Sequence, residues 1–243
     1  LLLTGNQTGA LLADYIIRSR KENGTLPANG CVIKSVVTSD LGRKICEDYG
    51  VKMMDVLTGF KFIGEKMEEF EETGEYTFLF GYEESYGSLA GTYARDKDAV
   101  VAALLVCEAA AYYRSRGMSL SDALAALFEK YGYHYETVVN FSVRGAGALE
   151  RMPKIMAALR SEPPKEICGV AVSEVHDFQN GAFGLPKTDM LYYTTEDGSI
   201  LIVRPSGTEP KIKVYIMVCG SSADHAKQKA EDLKTEIKTR ARE

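Results

Sequence analysis

The stretch "CVIKSVVTSDLGRKICEDYGVKMMDVLTG", residues 31–59, decides the fold of the first half of this chain. Its first nine residues are β-branched and almost continuously apolar, which is typical of a strand covered on both faces. Residues 41–50 fit a helix, with Gly50 where a C-cap would fall. The last nine predict a second strand. Strands separated by a helix indicate a layered α/β arrangement.

The alternation of helices and strands continues on both sides of this stretch. Apolar spacing predicts a strand at 76–84 and helices at 8–24, 60–74, 99–113 and 119–132. The opening residues are expected to form a short strand that leads into the first helix. We therefore predict an α/β domain over residues 1–135 with a largely parallel or mixed sheet. Its ligand loops should follow the carboxyl ends of the strands.

The pattern changes near residue 135, where strand candidates become grouped. Strands are predicted at 134–143, 169–178, 189–204 and 211–220, with a turn at Asp197-Gly198, and helices at 147–162 and 223–243. Grouped strands with flanking helices indicate a separate α+β domain. We predict this smaller domain over residues 136–243, with an antiparallel sheet flanked by helices.

Composition excludes several classes of protein. The 243 residues are 45% hydrophobic and 26% charged, as in ordinary globular domains, and carry a formal net charge of −5. An acidic chain is not expected to bind nucleic acid or an anionic membrane. The five cysteines are scattered and form no C-x-x-C, which predicts free thiols and a cytoplasmic location.

Two further features concern the limits of the chain. The apolar segment 99–113 is too short to span a bilayer and contains Glu108, so a buried helix is predicted there. The sequence starts without a methionine or a signal-peptide pattern. The chain is therefore expected to be a piece of a longer protein.

The loop "RPSGTEPKIK", residues 204–213, lies between two strand-like runs and is unusually rich in hydroxyls and cations. Backbone N–H groups around Gly207 could converge on an anion, with Ser206 and Thr208 as further donors. Arg204 offers a planar fork that suits phosphate oxygens, and Lys213 adds positive charge. A solvated hairpin turn explains the same residues equally well, since Pro, Ser and Gly are common in turns.

Two loops of the first domain carry further candidates. In "GYEESYGS", residues 81–88, Glu83 and Ser85 have the types and spacing that suit vicinal sugar hydroxyls, although a solvated acidic turn is also compatible. In "GTYARDKDA", residues 91–99, Arg95 and Lys97 could meet a phosphate or act on a hydroxyl proton. Asp98 is better explained as a helix N-cap. The D-x-D of this loop is too sparse to predict a magnesium site.

Five segments in this order resemble the C-terminal half of the α-D-phosphohexomutase family, which includes phosphoglucomutases and phosphomannomutases. They are "LLLTGNQTGALLADYI", "TGFKFIGEKM", "GYEESYG", "GTYARDKDAV" and "RPSGTEPKIKVY". The resemblance covers essentially the whole chain and implies the third and fourth domains of a four-domain enzyme. Such enzymes interconvert hexose 1-phosphates and hexose 6-phosphates through a hexose 1,6-bisphosphate.

The resemblance also implies which parts of the machinery lie elsewhere. Family members carry a phosphoserine in a Ser-His loop of the first domain and bind Mg²⁺ through an Asp-x-Asp-x-Asp loop of the second. This sequence contains neither pattern. We therefore expect the chain to recognise a phosphosugar, to bind no metal, to be inactive alone, and to need the N-terminal domains as partners.

Site residues follow from the resemblance position by position. It implies that Glu83 and Ser85 bind the sugar hydroxyls and that Thr58 and Gly59 line the same cleft. Lys97 matches an auxiliary catalytic lysine of an R-x-K-D segment, in which Arg95 is also expected to contact substrate. The non-reacting phosphate is expected to be held by Arg204, Ser206, Gly207, Thr208 and Lys213.

Two alternatives remain open at this point. A stand-alone, non-catalytic sugar-phosphate binding module would use the same loops. A related phosphopentomutase is also compatible, because close relatives share these motifs. A clamp on the C3 and C4 hydroxyls does not distinguish glucose from mannose, which differ at C2.

Overall fold

The computed structural model describes residues 2–142, 148–207 and 209–240, and the chain divides into two compact units at residues 131 and 132. The helices of unit 1 are α1 (Gly5–Glu22), α2 (Leu41–Tyr49), α3 (Phe60–Thr73), α4 (Ala99–Arg114) and α5 (Leu120–Tyr131). Its strands are β1 (Gly30–Ser35), β2 (Lys52–Val56), β3 (Thr77–Tyr82) and β4 (Ser88–Leu89).

Unit 1 has the predicted α/β architecture with a mixed sheet. The strand order is β2-β1-β3-β4, in which β1 pairs in parallel with β2 and β3, and β4 pairs antiparallel with β3. Alternate residues of β1 enter different cores: Val32 packs with α1 and α2, whereas Cys31 and Ile33 pack with α3. Because successive side chains of a strand point to opposite faces, helices cover both faces of this sheet.

The buried strand β1 contains one charged residue, Lys34. Its ammonium donates to the Thr38 carbonyl at 2.9 Å and lies 3.2 Å from Asp40 and 2.9 Å from Asp55. A buried cation is tolerated only when it is paired and hydrogen-bonded in this way. Lys34 therefore ties the turn after β1 to the neighbouring strand β2.

Two predictions for unit 1 are wrong. Leu2 and Leu3 form no strand; the chain enters α1 directly through a capping box in which Thr4 and Gln7 exchange hydrogen bonds. The segment 99–113 is a helix but is not buried throughout. Only Ala109 and Tyr113 of α4 are fully buried, because α4 packs on the unit through one face alone.

Unit 2 is an α+β unit with an antiparallel sheet, as predicted. Its strands are β5 (Tyr133–Ser142), β6 (Glu166–Ile167), β7 (Val170–Asp177), β8 (Leu191–Thr195), β9 (Ile200–Pro205) and β10 (Lys211–Gly220), and its helices are α6 (Ala148–Ser161) and α7 (Ala223–Arg240). The strand order is β5-β10-β9-β8-β7-β6. Met156 of α6 and Ala230 of α7 share one apolar core with Val214 and Ile216 of β10.

Asp197 fastens the predicted Asp197-Gly198 turn to α7. Its carboxylate accepts hydrogen bonds from Thr195 Oγ1 at 2.7 Å and Ser199 Oγ at 2.9 Å, and lies 2.8 Å from the Lys229 ammonium. Burial opposes ionisation, but the hydrogen bonds from Lys229, Thr195 and Ser199 outweigh it and hold the pKa of Asp197 well below its usual range. The ionised carboxylate therefore stabilises unit 2.

We expect Asp197→Asn to lower the free energy of unfolding of unit 2 by about 1–3 kcal/mol at pH 7, since it removes a charged acceptor of several bonds. A depressed carboxyl pKa stabilises the fold above the unfolded pKa and ceases to do so as the pH falls through the folded pKa. The difference between the two proteins should therefore shrink below about pH 4. Urea unfolding at pH 7, 5 and 3 measures this difference in the free energy of unfolding. Asp224→Asn, which alters an exposed carboxylate, is the control. A difference that stays constant with pH contradicts the assignment.

No helix formed by the residues that the structure describes is long and apolar enough to cross a membrane.

Candidate functional site

The loop that follows β3 holds Glu83 in a defined position at the carboxyl end of the parallel strands. The side chain is only 8% exposed, and its Oε1 accepts a hydrogen bond from the Gly59 N–H at 2.9 Å. The Glu83 N–H donates to the Gly87 carbonyl at 2.8 Å and closes the loop. The predicted residues Gly59 and Glu83, which are 24 positions apart, are thus brought together.

Glu84 has a different role from its neighbour. Its Oε2 accepts hydrogen bonds from Ser35 Oγ at 3.1 Å and Thr38 Oγ1 at 3.4 Å, and its N–H donates to Thr38 Oγ1 at 3.1 Å. Ser35 is the last residue of β1, and Thr38 lies in the turn that follows it. Glu84 therefore anchors the loop to β1, whereas Glu83 accepts a hydrogen bond from the loop that contains Gly59.

The loop also depends on very close backbone packing. A Cβ on Gly5 of α1 would lie 2.0 Å from the Glu84 carbonyl oxygen, so only glycine permits this approach. Tyr86 adopts φ +71°, an unfavourable value for a residue with a side chain, and its hydroxyl donates to the Leu3 carbonyl at 3.0 Å. Ser85 is exposed at the tip of the loop. The start of α1 thus supports the backbone that presents Ser85.

Lys97 lies beside the same loop. A Cβ built on Gly87 would be 2.8 Å from Lys97 Cδ and 3.2 Å from Glu83 Oε2, so the lysine stem and the carboxylate both lie close to this glycine. The ammonium is 3.1 Å from Asp96 and 5.9 Å from the ring centroid of Phe60. Since Phe60 follows Thr58 and Gly59, the structure brings four of the predicted residues of unit 1 into one neighbourhood.

Arg95, the other cation of the segment 91–99, binds a different partner. The Arg95 guanidinium bonds to Glu71 of α3 and donates to the Thr92 carbonyl at 2.8 Å. These bonds fasten the segment before α4 to α3, so the predicted contact of Arg95 with substrate stays a prediction. Asp98 is the N-cap of α4, accepting from the Val100 N–H at 2.7 Å, as predicted.

The second candidate loop joins β9 and β10 of unit 2. Arg204 is the register partner of Lys213, so their side chains project from the same face of the sheet. No carboxylate among the described residues pairs with either cation, whereas Lys211 lies 3.0 Å from Glu209. The Ser206 N–H donates to the Lys211 carbonyl at 2.7 Å. The Arg204–Lys213 pair is therefore available to an anion.

The tip of this loop is open. A Cβ on Gly207 would meet no atom within 4 Å, so the backbone here can approach a ligand freely. Thr208, the remaining predicted phosphate donor, lies outside the described residues. Among the residues that are described, no group of three or more His, Cys, Asp or Glu side chains is placed to hold a metal ion.

Unit 2 also contains a pocket of about 530 Å³. It is bounded by the Asp197 turn and by α7, and includes Lys229 and Asp232 but none of the predicted phosphate residues. The Lys229 charge is neutralised by Asp197, and Asp232 adds a further negative charge. This pocket is therefore a poor site for phosphate, and the Arg204–Lys213 pair is the better one.

Comparison with known proteins identifies the class to which these two units belong. Residues 4–131 match the family profile of the phosphoglucomutase/phosphomannomutase alpha/beta/alpha domain III, and residues 139–235 match that of the C-terminal domain. The chain therefore belongs to the phosphoglucomutase/phosphomannomutase family, whose third and C-terminal domains it contains.

Among individual relatives, the phosphoglucomutase of Staphylococcus epidermidis RP62A is 35% identical over 239 residues, which cover 94% of this chain and 42% of the relative. The phosphoglucomutase of Staphylococcus aureus RF122 is 32% identical over 236 residues, which cover 93% of this chain and 42% of the relative. The chain thus spans less than half the length of these relatives.

Solved structures show the same fold. The open form of pp63/parafusin, a phosphoglucomutase from Paramecium, superposes with a TM-score of 0.67 at 18% identity and covers 98% of this chain and 41% of that one. A phosphoglucomutase/phosphomannomutase family protein from Burkholderia thailandensis superposes with a TM-score of 0.59 at 16% identity. The match covers 98% of this chain and 42% of that protein.

Proposed function

We propose that this chain is the sugar-phosphate recognition half of a phosphoglucomutase that interconverts hexose 1-phosphate and hexose 6-phosphate. The observation that carries the proposal is the buried Glu83 carboxylate, held by the Gly59 N–H beside Lys97. A carboxylate has acceptor sites to spare, so Glu83 can accept sugar hydroxyls while Gly59 occupies one of its oxygens. Both relatives named above are phosphoglucomutases, which favours glucose over mannose or a pentose.

In this proposal each unit contributes its own recognition loop. Glu83 and Ser85 bind two neighbouring hydroxyls, and Lys97 supplies a positive charge at the same loop. Arg204, Ser206, Gly207, Thr208 and Lys213 hold the phosphate that does not react. Because the reaction moves a phosphate between C1 and C6, a fixed phosphate site and a central hydroxyl clamp serve both orientations of the sugar.

The phosphoryl donor and Mg²⁺ are assigned to domains outside this chain. The described residues offer no carboxylate cluster that fits Mg²⁺, which prefers octahedral oxygen ligands. What this chain contributes is binding and orientation, which account for much of the rate enhancement in phosphoryl transfer.

The proposal predicts the outcome of an activity assay. The chain alone should convert no glucose 1-phosphate to glucose 6-phosphate in the presence of Mg²⁺ and glucose 1,6-bisphosphate. The complete product of the gene that encodes it should do so, as followed by a coupled dehydrogenase. Turnover by these 243 residues alone, or an inactive complete product, contradicts the proposal.

A further inference from the structure

Three polar residues at the carboxyl end of β1 are almost completely buried. Lys34 is 1% exposed, and Ser35 and Thr38 are 0% exposed. The Lys34 ammonium donates to the Thr38 carbonyl at 2.9 Å, and the hydroxyl oxygens of Ser35 and Thr38 lie 2.6 Å apart. These three residues, which we name the β1 polar cluster, therefore form one hydrogen-bonded unit.

The β1 polar cluster supports the loop that carries the hydroxyl clamp, Glu83 and Ser85. The support acts through Glu84, whose N–H donates to Thr38 Oγ1 at 3.1 Å and whose carboxylate accepts from Ser35 Oγ at 3.1 Å. Glu84 stands between the two clamp residues in the sequence. Holding its N–H and its side chain therefore fixes the backbone from which both clamp side chains leave.

Lys34 connects this support to the segment that holds Glu83. Its ammonium lies 2.9 Å from Asp55 of β2. Four residues later, the Gly59 N–H donates to the Glu83 carboxylate at 2.9 Å. Lys34 thus contacts both the turn after β1, which bonds to Glu84, and the strand that leads to Gly59. One buried cation is common to the supports of the two glutamates.

The charges around Lys34 are balanced. Lys34 and Arg43 each pair with both Asp40 and Asp55, so two cations face two carboxylates and every member has two partners. A satisfied buried network of this kind is rigid. Replacing a buried ion pair by apolar residues of similar volume is often neutral or stabilising, so the contribution of this network lies in the positions that it fixes.

We propose that the β1 polar cluster positions the hydroxyl clamp, with Thr38 as the positioning residue that acts through Glu84. This inference rests on the proposed function, in which Glu83 and Ser85 bind the sugar. Thr38 itself touches no substrate. The cluster therefore governs the affinity for the sugar part of the ligand and leaves the affinity for phosphate alone unaffected.

Thr38→Val tests the inference, because valine keeps the branched shape and loses the hydroxyl. We expect binding of glucose 1-phosphate to the 243-residue chain to weaken by about three- to fivefold, since the buried Glu84 N–H loses its acceptor. Binding of inorganic phosphate should stay unchanged. Isothermal titration calorimetry measures both affinities well below the melting temperature of each variant, where a loss of stability alone leaves the affinities unchanged.

Two further variants give the rescue and the control. Thr38→Ser keeps the hydroxyl and should restore the affinity of the wild type for glucose 1-phosphate. Thr77→Val makes the same change at the other end of β3, where the hydroxyl donates to Asn29 at 2.9 Å. It should change neither affinity, because Thr77 has no contact with the cluster.

Variants of the other two cluster members test the same network. Lys34→Met leaves Arg43 to balance the carboxylates, and it should reproduce the selective loss of glucose 1-phosphate affinity together with a larger loss of thermal stability. Ser35→Ala removes the other hydroxyl that Glu84 accepts and is the milder change. It should show the same selectivity, and it decides the question if Thr38→Val does not fold.

Three results would overturn the inference. One is a folded Thr38→Val protein, or in its place a Ser35→Ala protein, with unchanged affinity for glucose 1-phosphate. Another is an equal loss of affinity for inorganic phosphate. The third is a Thr38→Ser protein that behaves as Thr38→Val does. A wild-type chain that binds glucose 1-phosphate no better than inorganic phosphate rejects the hydroxyl clamp, and with it the proposed function. A wild-type preference that survives these substitutions rejects the positioning role alone.

Discussion

Arg204→Ala is expected to weaken the binding of glucose 1-phosphate to this chain by about 10- to 100-fold. The substitution deletes a planar fork that can make charge-assisted hydrogen bonds to phosphate oxygens. Hydrogen bonds to charged groups contribute roughly 1.5–3 kcal/mol, and about 1.4 kcal/mol corresponds to a factor of ten in affinity. Isothermal titration calorimetry with glucose 1-phosphate and with inorganic phosphate measures the loss, which should appear with both ligands.

Two controls separate the role of the fork from that of charge alone. Arg204→Lys keeps the charge and loses the bidentate geometry, so its affinity should lie between those of the wild type and the alanine variant. Lys238→Ala removes an exposed cation of α7 and should change affinity less than twofold. Equal binding by Arg204→Ala and Lys238→Ala would exclude Arg204 from the phosphate site.

Glu83→Gln should have an effect that depends on the ligand. The amide replaces a charged acceptor by a neutral one, and we expect about tenfold weaker binding of glucose 1-phosphate. Binding of inorganic phosphate should stay unchanged, because that ligand has no sugar hydroxyls for Glu83 to accept. The same titrations measure both values.

The adjacent carboxylate gives the matched control for this prediction. Glu84→Gln alters a side chain that bonds to Ser35 and Thr38, so it should lower thermal stability and affect sugar binding less than Glu83→Gln does. A Glu83→Gln protein that binds glucose 1-phosphate as the wild type does, or that loses inorganic phosphate as well, contradicts the hydroxyl clamp.

Local signals in the sequence predicted much of the fold. The C-cap at Gly50 and the N-cap at Asp98 depend on neighbours within a few positions, and both are found as predicted. The Asp197-Gly198 turn and the two strands that flank it likewise depend on residues that are close together in the sequence.

Long-range contacts could not be predicted from the sequence. The roles of Glu83 and Glu84 differ because Gly59 lies near one and Thr38 near the other, across 24 and 46 positions. The burial of α4 was overestimated because its apolar residues occupy both faces, and composition does not indicate which face packs inside. The bonding of Arg95 to Glu71 likewise depends on how the loop before α4 meets α3.

The central claim is that this chain recognises a hexose phosphate through one loop in each unit. An amide-resolved NMR titration of the 243-residue chain with millimolar glucose 1-phosphate tests it most directly. We predict amide chemical-shift changes concentrated at residues 58–60, 83–87 and 97 in unit 1 and at 204, 206, 207 and 211–213 in unit 2. Saturating shifts confined to the pocket at Asp197 and α7, or no shifts in these loops, would contradict the claim.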